Sequence, residues 1–114
     1  MQRQLHHLFR LSVVRWAMDE KLREKAQSIA ALMAQMANEN RLLILCALLD
    51  GPKTVGELGE QVPNITGPAL SQHLHKLKDG GLIQAEKHGQ YVTYSIRDHR
   101  LQRLMEVLKD QYCT

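Results

Sequence analysis

The sequence is short of aromatics, of cysteine and of long apolar runs, and each shortage excludes something. Aromatic residues make up 4% of the 114-residue chain, while Leu, Ala, Gln, Glu and Lys dominate, a balance that favours a mainly helical protein. Two cysteines, Cys46 and Cys113, are too few for a disulfide scaffold, and their spacing is not that of a CxxC metal knuckle. No apolar run is long enough to cross a membrane. Arg10 and Arg15 interrupt the stretch where a secretory signal needs an uncharged apolar segment, so a cytoplasmic, reducing setting is expected. No Ser-His-Asp order, phosphate loop or metal-binding helix motif is present, and one small helical domain leaves little room for a substrate pocket; an enzyme is not expected.

What is present is an ordinary globular balance, 44% hydrophobic and 24% charged, with a formal charge of +3. A chain of this length forms one domain with a modest core, to which dimerisation would add burial. The mild basicity is compatible with a nucleic-acid partner but does not establish one.

The first 17 residues stand apart. They hold Arg3, Arg10 and Arg15 and no acid, with Leu5, Leu8, Phe9, Val13 and Trp16 at helical spacing. This basic amphipathic extension, residues 1–17, has several readings: it lengthens the first helix, it contacts DNA or a partner, or it is a leader upstream of a start at Met18, and organellar transit peptides have similar composition. Residues 18–114 form the expected domain. Its first helix spans about Asp19 to Ala37, with Leu22, Ala26, Ile29, Ala30, Met33 and Met36 as one stripe. A second follows, capped by Asn38 and nearly all apolar from Leu42 to Leu49, hence expected to be buried on every side. Asp50-Gly51-Pro52 ends it.

Thr54-Val55-Gly56-Glu57 fits a capping box and opens a short helix to about Gln61. Val62-Pro63-Asn64-Ile65 is a turn, and Thr66 caps a fourth helix whose core face is Leu70, Leu74 and Leu77. Gly80-Gly81 stops it. Two alternating runs, Leu82 to Lys87 and Tyr91 to Ile96, flank His88-Gly89-Gln90 as a hairpin. A last helix, about Asp98 to Tyr112, carries Leu101, Leu104, Met105, Leu108 and Tyr112 on one face. The predicted order is α-α-α-α-β-β-α: mainly α with a small β-hairpin wing, a winged helix-turn-helix.

That layout suits DNA, because a major groove admits one helix while a second braces it across the backbone. The exposed face of the fourth helix offers Ser71, Gln72 and His73 to base edges or phosphates, and Lys76 and Lys78 to phosphates. Lys87 and His88 sit at the wing tip, where a hairpin can enter the neighbouring minor groove. The same pattern also describes a solvated helix face and a solvated hairpin, or a winged-helix protein-interaction module.

Several strings resemble the ArsR/SmtB family of bacterial repressors: Arg41-Leu42-Leu43-Ile44-Leu45, Thr54-Val55-Gly56-Glu57-Leu58, Ala69-Leu70-Ser71-Gln72-His73-Leu74 and Leu77-Lys78-Asp79-Gly80-Gly81-Leu82-Ile83. The run Tyr91-Val92-Thr93-Tyr94-Ser95-Ile96 is similar to that family's wing. The resemblance spans about Asp19 to Cys113. It implies a homodimer paired through its first and last helices, bound to an inverted-repeat operator in double-stranded DNA until an inducer releases it. The expected DNA-contacting set is Arg41, Thr66, Ser71, Gln72, His73, Lys76, Lys87 and His88. Thr66-Gly67-Pro68 departs from the usual start of the family's reading helix, which bears on base preference.

Many members of that family sense metals, an alternative that the ligand patterns disfavour. A thiolate site would need cysteines near Val55 to Leu58, and there are none. A site on the last helix would need an Asp-x-His start and a His-x-x-Glu end, whereas Asp98 is followed by His99 and Arg100, and Gln111 and Thr114 close the chain. His6, His7 and His99 read as solvated or capping residues. No metal or other cofactor is expected. The pair Cys46 and Cys113 resembles a subgroup that senses reactive sulfur species or oxidants through a cysteine in each of these places. Against the resemblance stands the local field, since both thiols lie toward helix C-termini, where the dipole disfavours a thiolate; Lys109, one turn before Cys113, offsets it.

Overall fold

The computed structural model describes the backbone of residues 2–113 and the side chains of residues 19–113. Five helices and three strands follow in the order α1 (Gln2–Met36), α2 (Glu39–Leu48), β1 (Lys53–Thr54), α3 (Val55–Gln61), α4 (Gly67–Asp79), β2 (Ile83–His88), β3 (Tyr91–Ile96) and α5 (His99–Tyr112). The chain divides into two compact units, Met1–Met33 and Ala34–Thr114. The first is carried by α1, a helix of 35 residues that takes in the basic extension as well as the expected first helix. The apolar face anticipated for residues 1–17 lies outside the described side chains. Further along, the stripe is largely uncovered: Leu22 and Met33 are more than half exposed and Ile29 is exposed too, whereas Met36, in the second unit, is buried.

The second unit holds the core. Ile44, Leu45, Leu48, Leu58, Val62, Leu70, Leu74, Leu77, Leu82, Ile83, Leu101 and Met105 are buried there together with Met36. The helix starts are fixed by side-chain caps. Asn38 accepts from the Arg41 amide at 3.1 Å and Thr66 from the Ala69 amide at 3.2 Å. At α3 the box is reciprocal: the Glu57 amide donates to Thr54 Oγ1 at 3.2 Å, and the Thr54 amide to Glu57 Oε1 at 2.9 Å. The hydrogen bond from the Thr54 amide, followed by one from its side chain, holds the Glu57 carboxyl below the ordinary carboxylate range.

Two expectations change. The second helix is not buried all round: Ile44, Leu45 and Leu48 are buried, but Leu42, Leu43, Cys46, Ala47 and Leu49 are half-exposed. The wing is not a bare hairpin either. Lys53 and Thr54 pair antiparallel with Tyr94 and Thr93, making a three-stranded sheet of order β1-β3-β2. A two-residue strand carries no alternation to read. The hairpin itself pairs Ile83 with Ile96 through to His88 with Tyr91, so its loop is Gly89-Gln90, with Gly89 at φ +61° as a two-residue loop of the II′ kind requires.

The step from α4 into β2 is a Schellman turn. The Gly81 amide donates to Lys78 O and the Leu82 amide to Leu77 O, both at 3.0 Å, and both leucines are buried. Gly81 holds φ +79° to do this. Gly81→Ala should therefore cost about 1–2 kcal/mol, a fall of several degrees in unfolding midpoint for a domain this size. Gly67→Ala, where an added Cβ meets nothing within 4 Å, should leave the midpoint unchanged or slightly raised. Equal calorimetric midpoints for the two variants would contradict this turn assignment.

Candidate nucleic-acid interface and thiol pair

The helix-turn-helix is set by α3, the turn 62–66 and α4. Val62 is buried and its amide closes α3 by donating to Leu58 O at 2.9 Å; Asn64 takes a left-handed φ of 59°, which its short polar side chain tolerates. With Leu70, Leu74 and Leu77 turned into the core, helical periodicity sends Ser71, Gln72, His75, Lys76 and Lys78 to solvent, and all five are exposed. Lys76 and Lys78 stand in the last turn. Thr66 Oγ1 is used as the cap acceptor, which leaves its O–H free to donate outward.

His73 differs from the free reading-face residue expected of it. It is half-buried, and its Nδ1 accepts from Arg41 Nε at 3.2 Å. Burial, the Arg41 guanidinium and Lys76 together hold its pKa below the ordinary imidazole range. Arg41 is likewise half-buried and also donates from a terminal guanidinium nitrogen to the Gln35 carbonyl at 3.3 Å. Thirty-two residues separate Arg41 from His73, and no local pattern signals their contact.

On the wing, Lys87 is exposed near the tip, on the face shared with Ile83 and Ala85. His88 lies on the opposite face, already engaged: its ring stacks on Tyr91 with centroids 5.4 Å apart, and Nε2 is 3.1 Å from Thr93 Oγ1 and 3.9 Å from the Glu86 carboxylate. Tyr91, absent from the expected set, shares that exposed outer face.

The cysteines occupy two helices that pack on each other. Cys46 is half-buried on α2, and Cys113 is the exposed C-cap of α5, its amide donating to Lys109 O at 2.9 Å. Burial pushes the Cys46 thiol above the ordinary thiol range, the charge of Cys113 pushes it further, and Lys109 opposes both. An open cleft of about 370 Å³ adjoins Cys113, lined also by Leu49, Asp50, Glu106, Lys109 and Asp110. Among the described residues no group of three or more His, Cys, Asp or Glu side chains is placed to hold a metal ion, and no helix is long and apolar enough to cross a membrane.

Residues 38–85 match the family model described as bacterial regulatory protein, arsR family. The chain is 37% identical to the HTH-type transcriptional regulator YgaV of Escherichia coli K12 over 94 residues, 82% of this chain and 94% of that one. It is 36% identical to the transcriptional activator HlyU of Vibrio cholerae, again over 94 residues, 82% of this chain and 86% of the other. The structure of reduced HlyU superposes with a TM-score of 0.77, covering 83% of this chain and 99% of that one at 36% identity. The homodimeric winged helix-turn-helix DNA-binding domain of a possible ArsR-family regulator from Mycobacterium bovis superposes with a TM-score of 0.66 at 27% identity, covering 74% of this chain and 77% of that one.

The raised pKa of Cys46 sets an order of reaction. Near neutral pH Cys46 is held as the thiol, so limiting iodoacetamide should alkylate Cys113 first, and Cys46 should follow only as the pH climbs past the ordinary thiol range. Peptide mapping that found Cys46 modified as fast as Cys113 at neutral pH would contradict the burial argument.

Proposed function

Since the chain belongs to the arsR family of bacterial regulatory proteins, we propose that it is a dimeric DNA-binding repressor whose operator affinity is switched by chemistry at Cys46 and Cys113. The observation that carries the reading is the pairing of two features in one small unit: a helix-turn-helix with a polar, lysine-bearing face on α4, and two free thiols, one on α2 and one at the end of α5, helices that pack on each other.

In this reading α4 enters the major groove. Gln72 reads base edges, its amide suiting adenine, and Ser71 reads beside it. Lys76, Lys78 and the wing-tip Lys87 neutralise phosphates, and the free Thr66 hydroxyl donates to another. His88, held on Tyr91, presents the wing's outer face to the neighbouring groove. Arg41 and His73 stand behind the contact surface. Leu22, Ile29 and Met33 of the first unit are exposed apolar side chains on α1, and Val107 and Tyr112 of the second are exposed on α5; each set is apolar surface for a second copy to cover. The Mycobacterium bovis domain is described as a homodimer. Two reading helices related by a two-fold meet half-sites about one DNA turn, roughly 34 Å, apart on an inverted repeat. Occupying a promoter is enough to block it, so repression asks for no further surface.

The switch proceeds in balanced steps. A hydroperoxide oxidises the exposed Cys113 thiolate to a sulfenic acid, losing an alcohol or water. Cys46 then attacks that sulfur, expelling water and closing a disulfide. An organic persulfide instead transfers its outer sulfur to Cys113 and leaves as a thiol. Cys46 then attacks the Cys113 sulfur and expels hydrogen sulfide, closing a disulfide. Alternatively, a second persulfide first transfers its outer sulfur to Cys46 and leaves as a thiol; the outer sulfur on Cys46 then attacks the Cys113 sulfur, expelling hydrogen sulfide and closing a trisulfide. A direct disulfide needs Cα atoms within about 7 Å, which a polysulfide relaxes. Either bridge ties α2 to α5 and shifts the reading helices. Because the two half-sites are fixed on the DNA, a differential affinity of about 1.4 kcal/mol releases the operator tenfold.

The test is operator titration of reduced and persulfide-treated protein. Reduced wild type, Cys46→Ser and Cys113→Ser should bind alike; only wild type should be released. Affinity should fall steeply with salt, Lys76→Ala should weaken binding to all sequences alike, and Gln72→Ala should relax base preference. A purified dimer that binds no duplex at low salt overturns the DNA reading. Normal release of either serine variant overturns the two-thiol switch alone.

A further inference from the structure

Arg41 sits where three helices meet, and its two hydrogen bonds use acceptors from the other two. One goes from Nε to His73 Nδ1 on α4 at 3.2 Å, the other from a terminal nitrogen to the carbonyl of Gln35 at the end of α1 at 3.3 Å. A second point of contact lies two helical turns, about 10 Å, further along α4. There the Gln35 amide lies so close to Gly80 that a Cβ on Gly80 would stand 2.8 Å from Gln35 Nε2. Gln35 Oε1 is buried without a hydrogen-bond partner, so that oxygen is held by packing rather than by a hydrogen bond. Thus α4 is gripped in its middle by Arg41 and at its end by Gln35.

We infer that Arg41 is a positioning residue for α4: it joins the end of α1 and the start of α2 to His73, fixing the rotation at which α4 presents Ser71, Gln72 and Lys76. The inference rests on the reading of α4 as the DNA-contacting helix and assigns Arg41 a role other than phosphate neutralisation. Its guanidinium is planar and presents donors in a fixed fork, so one side chain serves two acceptors at a set angle; a lysine ammonium has no such fork. An arginine is always a donor, which makes His73 Nδ1 a bare acceptor and puts the ring proton on Nε2. The charges acting on the ring are both positive, Arg41 from α2 and Lys76 from α4, and together with burial they keep it neutral at neutral pH. Protonating Nδ1 would replace the hydrogen bond by repulsion, so the joint is lost as the pH falls through the depressed pKa of His73.

Two measurements decide this. Long-range ¹H–¹⁵N correlations on the reduced full-length protein should show His73 protonated at Nε2 alone, titrating below the ordinary imidazole range. In Arg41→Lys both tautomers should appear. Operator titrations should show Arg41→Lys and Arg41→Ala each losing about tenfold in affinity, with the salt dependence of binding unchanged. A wild-type His73 carrying its proton on Nδ1 would overturn the joint, as would an Arg41→Lys variant that binds the operator like wild type. A salt slope reduced by about one in Arg41→Ala would make Arg41 a phosphate contact instead. If wild type binds no duplex, the DNA reading fails, and the tautomer of His73 still decides the joint without DNA.

Discussion

Everything in the second unit leans on one buried helix face. Ile44, Leu45 and Leu48 of α2 are almost wholly removed from water, each contributing about 1.5–3 kcal/mol by burial. Through that face α2 meets α3, α4, α5 and β3. A helix packed on four neighbours cannot shift alone, because close-packed interiors transmit displacement rather than absorb it. Arg41 at the start of α2 and Cys46 toward its end are therefore mechanically connected to α4, although neither is part of its exposed face.

The same helix explains why the two thiols are unequal. Cys46 follows Leu45 on a helix whose buried face takes the two residues before it, Ile44 and Leu45, so it is half-covered and its thiol is pushed up by desolvation. Cys113 caps the outer end of α5, open to solvent and beside Lys109. In the proposed switch the exposed sulfur meets the reagent and the shielded one resolves the product, a division of labour for which this packing is suited. For Cys46, burial and the partner sulfur's charge act in the same direction as the local helix dipole, against the thiolate, and Lys109 opposes them.

The local rules of helix building were legible in the residues. Asn38, Thr54 and Thr66 each cap the helix that follows, Glu57 completes its box, and Leu70, Leu74 and Leu77 mark the inner face of α4, because caps and periodicity act within four residues; Asp98, read as the first residue of the last helix, is its cap. What escaped is non-local. β1 is two residues long and exists only because β3 runs beside it. The solvent exposure of Leu22, Ile29 and Met33 is invisible to a pattern that merely says apolar. His73 belongs to the polar face by spacing, yet Arg41, distant in sequence, draws it half under the surface. His88 reads as a free wing tip until its cross-strand partner Tyr91 is placed beneath the ring.

The central claim is that a bridge between Cys46 and Cys113 moves the two reading helices of a dimer relative to each other. The most direct measurement is the distance between α4 helices, taken by pulsed electron spin resonance with a label attached at Ser71 through a non-cysteine handle. The reduced dimer should show a distribution compatible with half-sites about one DNA turn, roughly 34 Å, apart. The bridged dimer should show one displaced by several ångströms, and Cys113→Ser treated in the same way should show no change. Superimposable distributions for reduced and bridged wild-type protein would contradict the account.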